Sequence, residues 1–277
     1  MRLIVVGNGG GTGFTASASG GYLVTHGKAS LLMECGPGVA TQLAQYTPLE
    51  QIVGVVISHM HYDNFADLLT LALMSYAATV DLAIADYSDE LGRGRIQRLH
   101  VYLPPGGVEY LEAIITAFVG GSPYPQPRLH FAFKTLLVLH TYEAGSPLTI
   151  GPFTVEVVGP MAHEPGPCFG FRVLDGTATI GYSGDSGMTP MLDIVARETD
   201  LFLCDATSLT SDIRTDNRHL AAEDAGRVAA RAGARQLVLT HIVNDRRSWV
   251  NNMRAMARRH YSGLIHIATV GKAYDAM

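Results

Sequence analysis

A succession of short apolar runs, each interrupted by glycine, proline or a polar turn, constrains the fold of this chain more than any other feature. Residues 52–57 are the clearest case, because apart from Gly54 they are all β-branched, and they lead directly into the polar segment that begins at Ser58. Such runs are typical of buried strands. Further strands are predicted at residues 3–6, 20–24, 30–33, 100–103, 136–140, 153–158, 170–174, 178–183, 201–204 and 236–240.

Helical patterns separate some of these strands. The segments are residues 39–46, 66–80, 108–118 and 221–232. Strands outnumber helices, and several strands lead straight into polar loops, which predicts a layered α/β sandwich. A hydrophobic fraction of 47% with 16% charged residues argues against disorder. Because no linker or internal repeat interrupts the pattern, residues 1–277 are predicted to form one domain.

Composition excludes several classes of protein. The three cysteines are widely separated, which excludes a disulfide scaffold and a cysteine-rich zinc finger. The uncharged stretch at residues 68–80 is shorter than the ~20 residues that span a bilayer, and the first apolar run is too short for a secretory signal. We therefore expect a cytoplasmic protein without a membrane partner. With a net charge of −5, an anionic substrate must be bound by local groups.

The segment His59-Met60-His61-Tyr62-Asp63-Asn64 is the strongest local indication of chemistry. Two histidines two residues apart, followed by an aspartate, can converge on one metal ion from a turn. A histidine pair in an ordinary loop is most often a solvated surface feature. Here the pair directly follows a predicted buried strand, which favours a metal site.

Three later residues extend this pattern, since each lies at or just past the end of a predicted strand beside polar or turn-forming residues. They are His163, Asp185 and His241. Imidazole and carboxylate ligands without a thiolate suit zinc, with manganese or iron as alternatives.

Taken together, these motifs resemble the metallo-β-lactamase fold superfamily. The pattern is HxHxD, a distant histidine, Ser-Gly-Asp at residues 183–185 and a late Thr-His at residues 240–241. Residues 33–36, 182–185 and 219–226 are most similar to the branch that contains ribonuclease Z and cyclic-nucleotide phosphodiesterases. The resemblance covers nearly the whole chain and implies a four-layer αββα sandwich.

The resemblance also implies a role for each matching residue. The first metal would be bound by His59, His61 and His163, and a second metal by Asp63 and His241. Asp185 would bridge the two ions, and His219 would lie beside the scissile phosphate. The alternative interpretation of His219 is an ordinary residue at the start of a helix.

One position departs from the family pattern. The superfamily usually has a histidine directly after the aspartate of HxHxD, and this chain has Asn64. An amide oxygen binds transition metals less well than imidazole, so Asn64 can serve only as a weak ligand. Three interpretations follow: a weakened two-metal site, an enzyme with one metal, or a degenerate protein that binds metal without turnover.

The function implied is metal-dependent hydrolysis of a phosphodiester by a hydroxide formed on the metal from water. Asp63 would orient this hydroxide or accept its proton, and His219 would protonate the leaving oxygen. The sequence between His61 and His163 shows no long arm of the kind that ribonuclease Z uses for tRNA, and residues 120–128 are predicted to form only a compact proline- and glycine-rich loop. We therefore expect a small, cyclic nucleotide-like substrate, with tRNA 3′ processing as the second interpretation. The apolar segment at residues 68–80 is compatible with a homodimer contact.

Overall fold

The computed structural model describes residues 1–11, 16–85, 98–120, 130–211 and 218–277, in which two stacked mixed sheets lie between two layers of helices. The strands are β1 (Arg2–Gly7), β2 (Gly21–His26), β3 (Ala29–Met33), β4 (Ile52–Val56), β5 (Leu99–Leu103), β6 (Leu137–Thr141), β7 (Leu148–Ile150), β8 (Phe153–Val158), β9 (Gly170–Leu174), β10 (Thr179–Tyr182), β11 (Leu201–Asp205), β12 (Gln236–Thr240), β13 (Leu264–Ile267) and β14 (Ala273–Asp275).

The helices of the described residues pack on the outer faces of the sheets. The α-helices are α1 (Val39–Leu43), α2 (Tyr62–Phe65), α3 (Leu68–Ala85), α4 (Gly107–Gly120), α5 (Met191–Ala196), α6 (Ala222–Ala232) and α7 (Arg247–Arg258), and there is also a 3₁₀ helix at Leu49–Gln51 and a π-helix at Ala132–Leu136. Helix α6 shows how the sequence sets these bounds. Acidic residues occupy its first turn, where their negative charge interacts favourably with the positive end of the helix dipole. Gly233 ends the helix in the left-handed conformation, with a φ of 70°.

Both sheets combine antiparallel and parallel strands. The first has the order β14-β1-β2-β3-β4-β5-β6 and the second β13-β12-β11-β10-β9-β8-β7. In the first sheet β3 to β6 are parallel, and in the second β10 to β13 are parallel. The carboxyl ends of parallel neighbours meet at one edge of a sheet, so loops that follow them are brought together.

Three apolar layers hold the sandwich together. The central layer lies between the sheets and includes Tyr22, Phe153 and Phe171, all almost fully buried. A second layer joins the first sheet to α1, α3 and α4, and a third joins the second sheet to α5, α6 and α7. Burial on both outer faces confirms the predicted four-layer αββα sandwich and explains why the central strands are continuously apolar.

Most predicted elements lie where the sequence placed them. The strand expected at residues 236–240 is β12, and the helix expected at 221–232 is α6. The short strands β7, β13 and β14 and the helices α2 and α5 were not predicted, and α3 continues five residues past the predicted end at Val80. Much of the loop at residues 120–128 lies outside the described residues. Within those residues no helix has the length and apolarity that crossing a bilayer requires.

Candidate metal centre

The predicted site residues lie close together, although they are far apart in the chain. Each belongs to a segment that follows a strand or begins a helix at one edge of the two sheets. Among the described residues, four overlapping groups of side chains have ligand atoms within 4.8 Å of one another. They are His59, His61 and His163; His163, Asp185 and His219; Asp205, His219 and His241; and Asp63, Asp185 and His241.

The first group consists of three imidazoles. Ring centroids are 4.6 Å apart for His59 and His61, 4.8 Å for His59 and His163, and 4.9 Å for His61 and His163. His163 donates from Nδ1 to the backbone oxygen of Arg218 at 2.8 Å, so its Nε2 faces the group. Nδ1 of His59 lies 3.0 Å from the buried Ser58 hydroxyl, which fixes that ring as well. Outer hydrogen bonds of this kind orient histidines that bind metals.

Two carboxylates and one imidazole form the adjacent group. Nε2 of His241 lies 3.2 Å from Oδ2 of Asp185 and 3.6 Å from Oδ2 of Asp63. The same Asp185 oxygen is 3.6 Å from Nε2 of His59. Asp185 therefore stands between the two groups. Its role as a bridging ligand, which the resemblance implies, stays a prediction.

The chemistry of these donors suits a divalent cation. Nε2 of His59 and Nε2 of His241 are buried and have no hydrogen-bond partner among the described residues, an arrangement that is costly unless something else binds them. Burial lowers the pKa of His59 to about 4, which keeps that ring neutral, as metal binding requires. Burial alone would raise the pKa of Asp185, but the neighbouring His241 and His59 hold it well below its usual range, so the carboxylate is ionised.

His219 lies beside both groups. Its ring is stacked on His241 with centroids 4.8 Å apart, and its Nδ1 donates to Oδ2 of Asp205 at 2.9 Å. Burial disfavours protonation of His219, but the Asp205 carboxylate outweighs burial and raises the pKa of the ring. The side chain remains 27% exposed, so a substrate in the cleft can reach it.

Asp205 and Thr207 also belong to the site, although neither was predicted from the sequence to be a site residue. Oδ1 of Asp205 accepts a hydrogen bond from the Thr207 hydroxyl at 2.9 Å, and that hydroxyl lies 2.9 Å from Nδ1 of His241. One carboxylate thus orients both His219 and, through Thr207, His241. Its position in the sequence could have indicated a site residue, because Asp205 is a charged residue at the end of a strand that is otherwise apolar and fully buried.

Asn64 is buried, with only 1% of its surface exposed. Its Nδ2 has no hydrogen-bond partner in the described part of the chain, and its Oδ1 lies next to Gly20. Amide oxygen and nitrogen are assigned by their surroundings, so the unpartnered end of this side chain could equally present its oxygen. The role of Asn64 as a weak ligand stays a prediction.

Replacing Asn64 with histidine is expected to increase occupancy of the second site, because imidazole is a stronger donor than an amide. Elemental analysis after dialysis against limiting zinc would measure the change. Asn64→Ala is the matched control and should show no gain. Unchanged occupancy in Asn64→His would mean that position 64 does not reach the second ion.

Gly36 allows the backbone of α2 to approach the loop after β3. A Cβ atom at this position would lie 1.8 Å from the backbone oxygen of Asp63. Gly36→Ala must therefore displace α2, and we expect it to destabilise the protein by about 1–3 kcal/mol and to lower metal content. Thermal unfolding would measure the first effect. Gly120→Ala, where a Cβ meets nothing within 4 Å, is the control and should leave both properties unchanged.

The part of the chain that the structure describes has two cavities lined by residues of the centre. The larger, of about 1010 Å³, is lined by residues 160–167 and Arg218 and adjoins His163. The smaller, of about 330 Å³, is lined by residues 59–61, 104–106 and 165–167 and by Tyr110. The segment 165–167 belongs to both linings, so the two cavities flank one loop.

Comparison with known proteins agrees with this architecture. The profile of the family described as "Beta-lactamase superfamily domain" matches residues 30–242. The probable metallo-hydrolase YhfI of Bacillus subtilis is 28% identical over 279 residues, covering 99% of this chain and 100% of YhfI. The crystal structure of YhfI superimposes with a TM-score of 0.79 at 27% identity, covering 99% of this chain and 98% of that one.

Two further similarities extend the comparison. The ribonuclease Z of Myxococcus xanthus is 24% identical over 280 residues, covering 87% of this chain and 86% of the relative. A crystal structure described as a new diphosphatase from the PhnP family has a TM-score of 0.69 at 15% identity, covering 99% of this chain and 97% of that one, and shows the shared fold. YhfI is described as a probable metallo-hydrolase, and this chain belongs, with a match over residues 30–242, to the family of the β-lactamase superfamily domain.

Proposed function

We propose that this protein hydrolyses a small phosphodiester of the cyclic nucleotide type at a centre of one or two divalent ions, with zinc as the expected metal and manganese or iron as alternatives. The observation that carries the proposal is the Asp205–His219 pair, which places a partly exposed histidine of raised pKa beside both groups of ligand residues. A hydrolase that cleaves an ester of an alcohol needs such a proton donor, because an alkoxide is a poor leaving group.

The ligand residues would divide as the resemblance implies. His59, His61 and His163 would hold one ion, Asp63 and His241 the other, and Asp185 both. Bound metal supplies an acidified water near neutral pH and offsets the charge of the phosphate.

The protein's own residues account for the proton transfers. Burial alone would raise the pKa of Asp63, but the nearby His241 outweighs burial and holds that pKa below its usual value, so the carboxylate is ionised at neutral pH. Asp63 can therefore orient the attacking water and accept its proton. As the ester bond breaks, His219 donates a proton to the leaving oxygen, and Asp205 stabilises the protonated ring in the orientation required.

The dimensions and charge of the cleft favour a small substrate. Cavities of about 1010 and 330 Å³ match the range of small-molecule sites. Arg218 lines the larger cavity and can attract a phosphate locally, whereas the net charge of −5 gives no long-range attraction for a nucleic acid.

A second candidate function is tRNA 3′ processing. It is favoured by the sequence similarity to the Myxococcus xanthus ribonuclease Z, which extends over most of both chains. A third candidate is a protein that binds metal without turnover, for which Asn64 is the main argument.

Metal analysis combined with three substrates separates these candidates. The purified protein, loaded with zinc or manganese, would be assayed with cyclic AMP, with bis(p-nitrophenyl) phosphate and with a tRNA precursor bearing a 3′ trailer. Turnover of cyclic AMP without tRNA cleavage supports the proposal, and preferential tRNA cleavage overturns it in favour of the ribonuclease. One tightly bound ion with no turnover of any substrate would identify a binding protein.

A further inference from the structure

The smaller cavity beside the metal centre forms a slot between two remote turns. One wall is the turn at residues 104–106, which follows β5, and the other is the turn at residues 165–167, which follows His163. Residues 59–61 also line the slot, so its lining includes two of the three imidazoles of the first group. Any group in this slot lies directly next to the centre.

Apart from the two imidazoles, the described lining of the slot is apolar, and Tyr110 adds one further aromatic ring. Besides the two histidines and Met60, its side chains are four prolines and Tyr110, and no acidic or strongly basic side chain lines it within the described residues. Tyr110 is 51% exposed, and its ring packs edge-on against the buried Phe65 with centroids 5.9 Å apart. Since Phe65 belongs to the same short helix as Asp63, this contact fixes Tyr110 relative to the centre.

These features select the chemical class of the occupant. A volume of about 330 Å³ accepts one ring system and its linkage but excludes a duplex. Aromatic and proline surfaces bind flat, uncharged rings by stacking and apolar contact, and this type of recognition tolerates every base. A charged substituent packed against the prolines and Tyr110 would lose hydration there without gaining an ionic partner from these side chains.

We infer that the slot is the nucleobase subsite and that Tyr110 is the residue on which the base stacks. This inference rests on the proposed function, since the phosphodiester must lie at the centre for the base to enter the slot. Because the lining recognises a flat shape more than a hydrogen-bonding pattern, cyclic AMP and cyclic GMP should be hydrolysed with similar efficiency. Ribose 3′,5′-cyclic phosphate, which lacks a base, should be a poorer substrate.

Tyr110→Ala, with Tyr110→Phe as the matched control, tests the inference. For cyclic AMP we expect Tyr110→Ala to lower kcat/KM by about 5- to 100-fold, mainly through KM, because that is the usual effect of losing one stacking partner. Tyr110→Phe keeps the ring and should stay within about twofold of wild type. Neither variant should change hydrolysis of the base-free ribose cyclic phosphate.

The base-free substrate also reports structural damage. If Tyr110→Ala disturbs α2 through Phe65, activity falls equally on both substrates, and this result would overturn the assignment. An unchanged kcat/KM for cyclic AMP would overturn it too.

A binding measurement separates failure of the subsite from failure of the proposed function. The probe is the 3′,5′-cyclic phosphate of 2-aminopurine riboside, whose fluorescence falls when its base stacks. Quenching in the wild type that is lost in Tyr110→Ala supports the slot as a base-binding site. If the wild type shows this quenching but hydrolyses no phosphodiester, only the proposed function is contradicted. Turnover of cyclic AMP with quenching that does not depend on Tyr110 would contradict only the slot.

Discussion

Asp185→Asn is expected to reduce bound metal from the one or two ions per chain of the wild type to fewer than one, and to lower phosphodiester hydrolysis by at least about 10³-fold. The reason is geometric, because one oxygen of Asp185 lies 3.2 Å from Nε2 of His241 and 3.6 Å from Nε2 of His59. The substitution preserves the size of the side chain and removes its charge, so any effect follows from the lost carboxylate. Elemental analysis and a turnover assay would measure both quantities on one sample.

Thermal unfolding provides a second measurement of the same substitution. An ion that binds the folded chain at a concentration of 100 times Kd stabilises it by about 2.7 kcal/mol. A chelator should therefore lower the Tm of the wild-type protein and have little effect on Asp185→Asn. The control is Asp275→Asn, whose carboxylate pairs with Arg2 at 2.8 Å on an edge strand and should influence neither metal nor rate. Full metal content and rate in Asp185→Asn would remove this residue from the ligand set.

The sequence was informative about this site because the ligands follow strand ends. His59 and His241 each come directly after an apolar strand, and strands of this kind are recognised from composition alone. Parallel strands place their carboxyl ends at one edge of a sheet, so residues distant in sequence become neighbours once the strand order is set. The αββα layering followed from the resemblance, and the central strands were predicted to within a few residues.

Other features depend on contacts that no local pattern encodes. The importance of Asp205 arises because β11 lies between β10 and β12, which brings its terminal carboxylate beside His219 and Thr207. Edge strand β14 is three residues long and pairs with β1 from the opposite end of the chain. The slot beside Tyr110 exists because turns after β5 and after His163 face each other. Such features require the tertiary arrangement.

His219→Ala is expected to lower kcat for cyclic AMP by about 10²- to 10⁴-fold while leaving metal content intact. The ring of His219 stacks on that of His241, and its Nδ1 donates a hydrogen bond to Asp205. We therefore expect the other ring nitrogen, Nε2, to donate the proton to the leaving oxygen. Asp205→Asn should cause a smaller loss, about 10- to 100-fold, because the histidine remains but is less well oriented. Asp205 raises the pKa of His219, so its loss lowers that pKa, and activity should decline at a lower pH than in the wild type.

A comparison of two leaving groups tests whether His219 acts as a general acid or only supports the structure. Cyclic AMP releases an alkoxide, which needs a proton, whereas bis(p-nitrophenyl) phosphate releases a weakly basic phenolate that does not. A proton donor therefore predicts a large loss on cyclic AMP and a small loss on the p-nitrophenyl ester in the same preparation of His219→Ala. Equal losses on both substrates, or reduced metal, would instead show that His219 maintains the ligand groups, and the histidine would then have no place in the proton transfer.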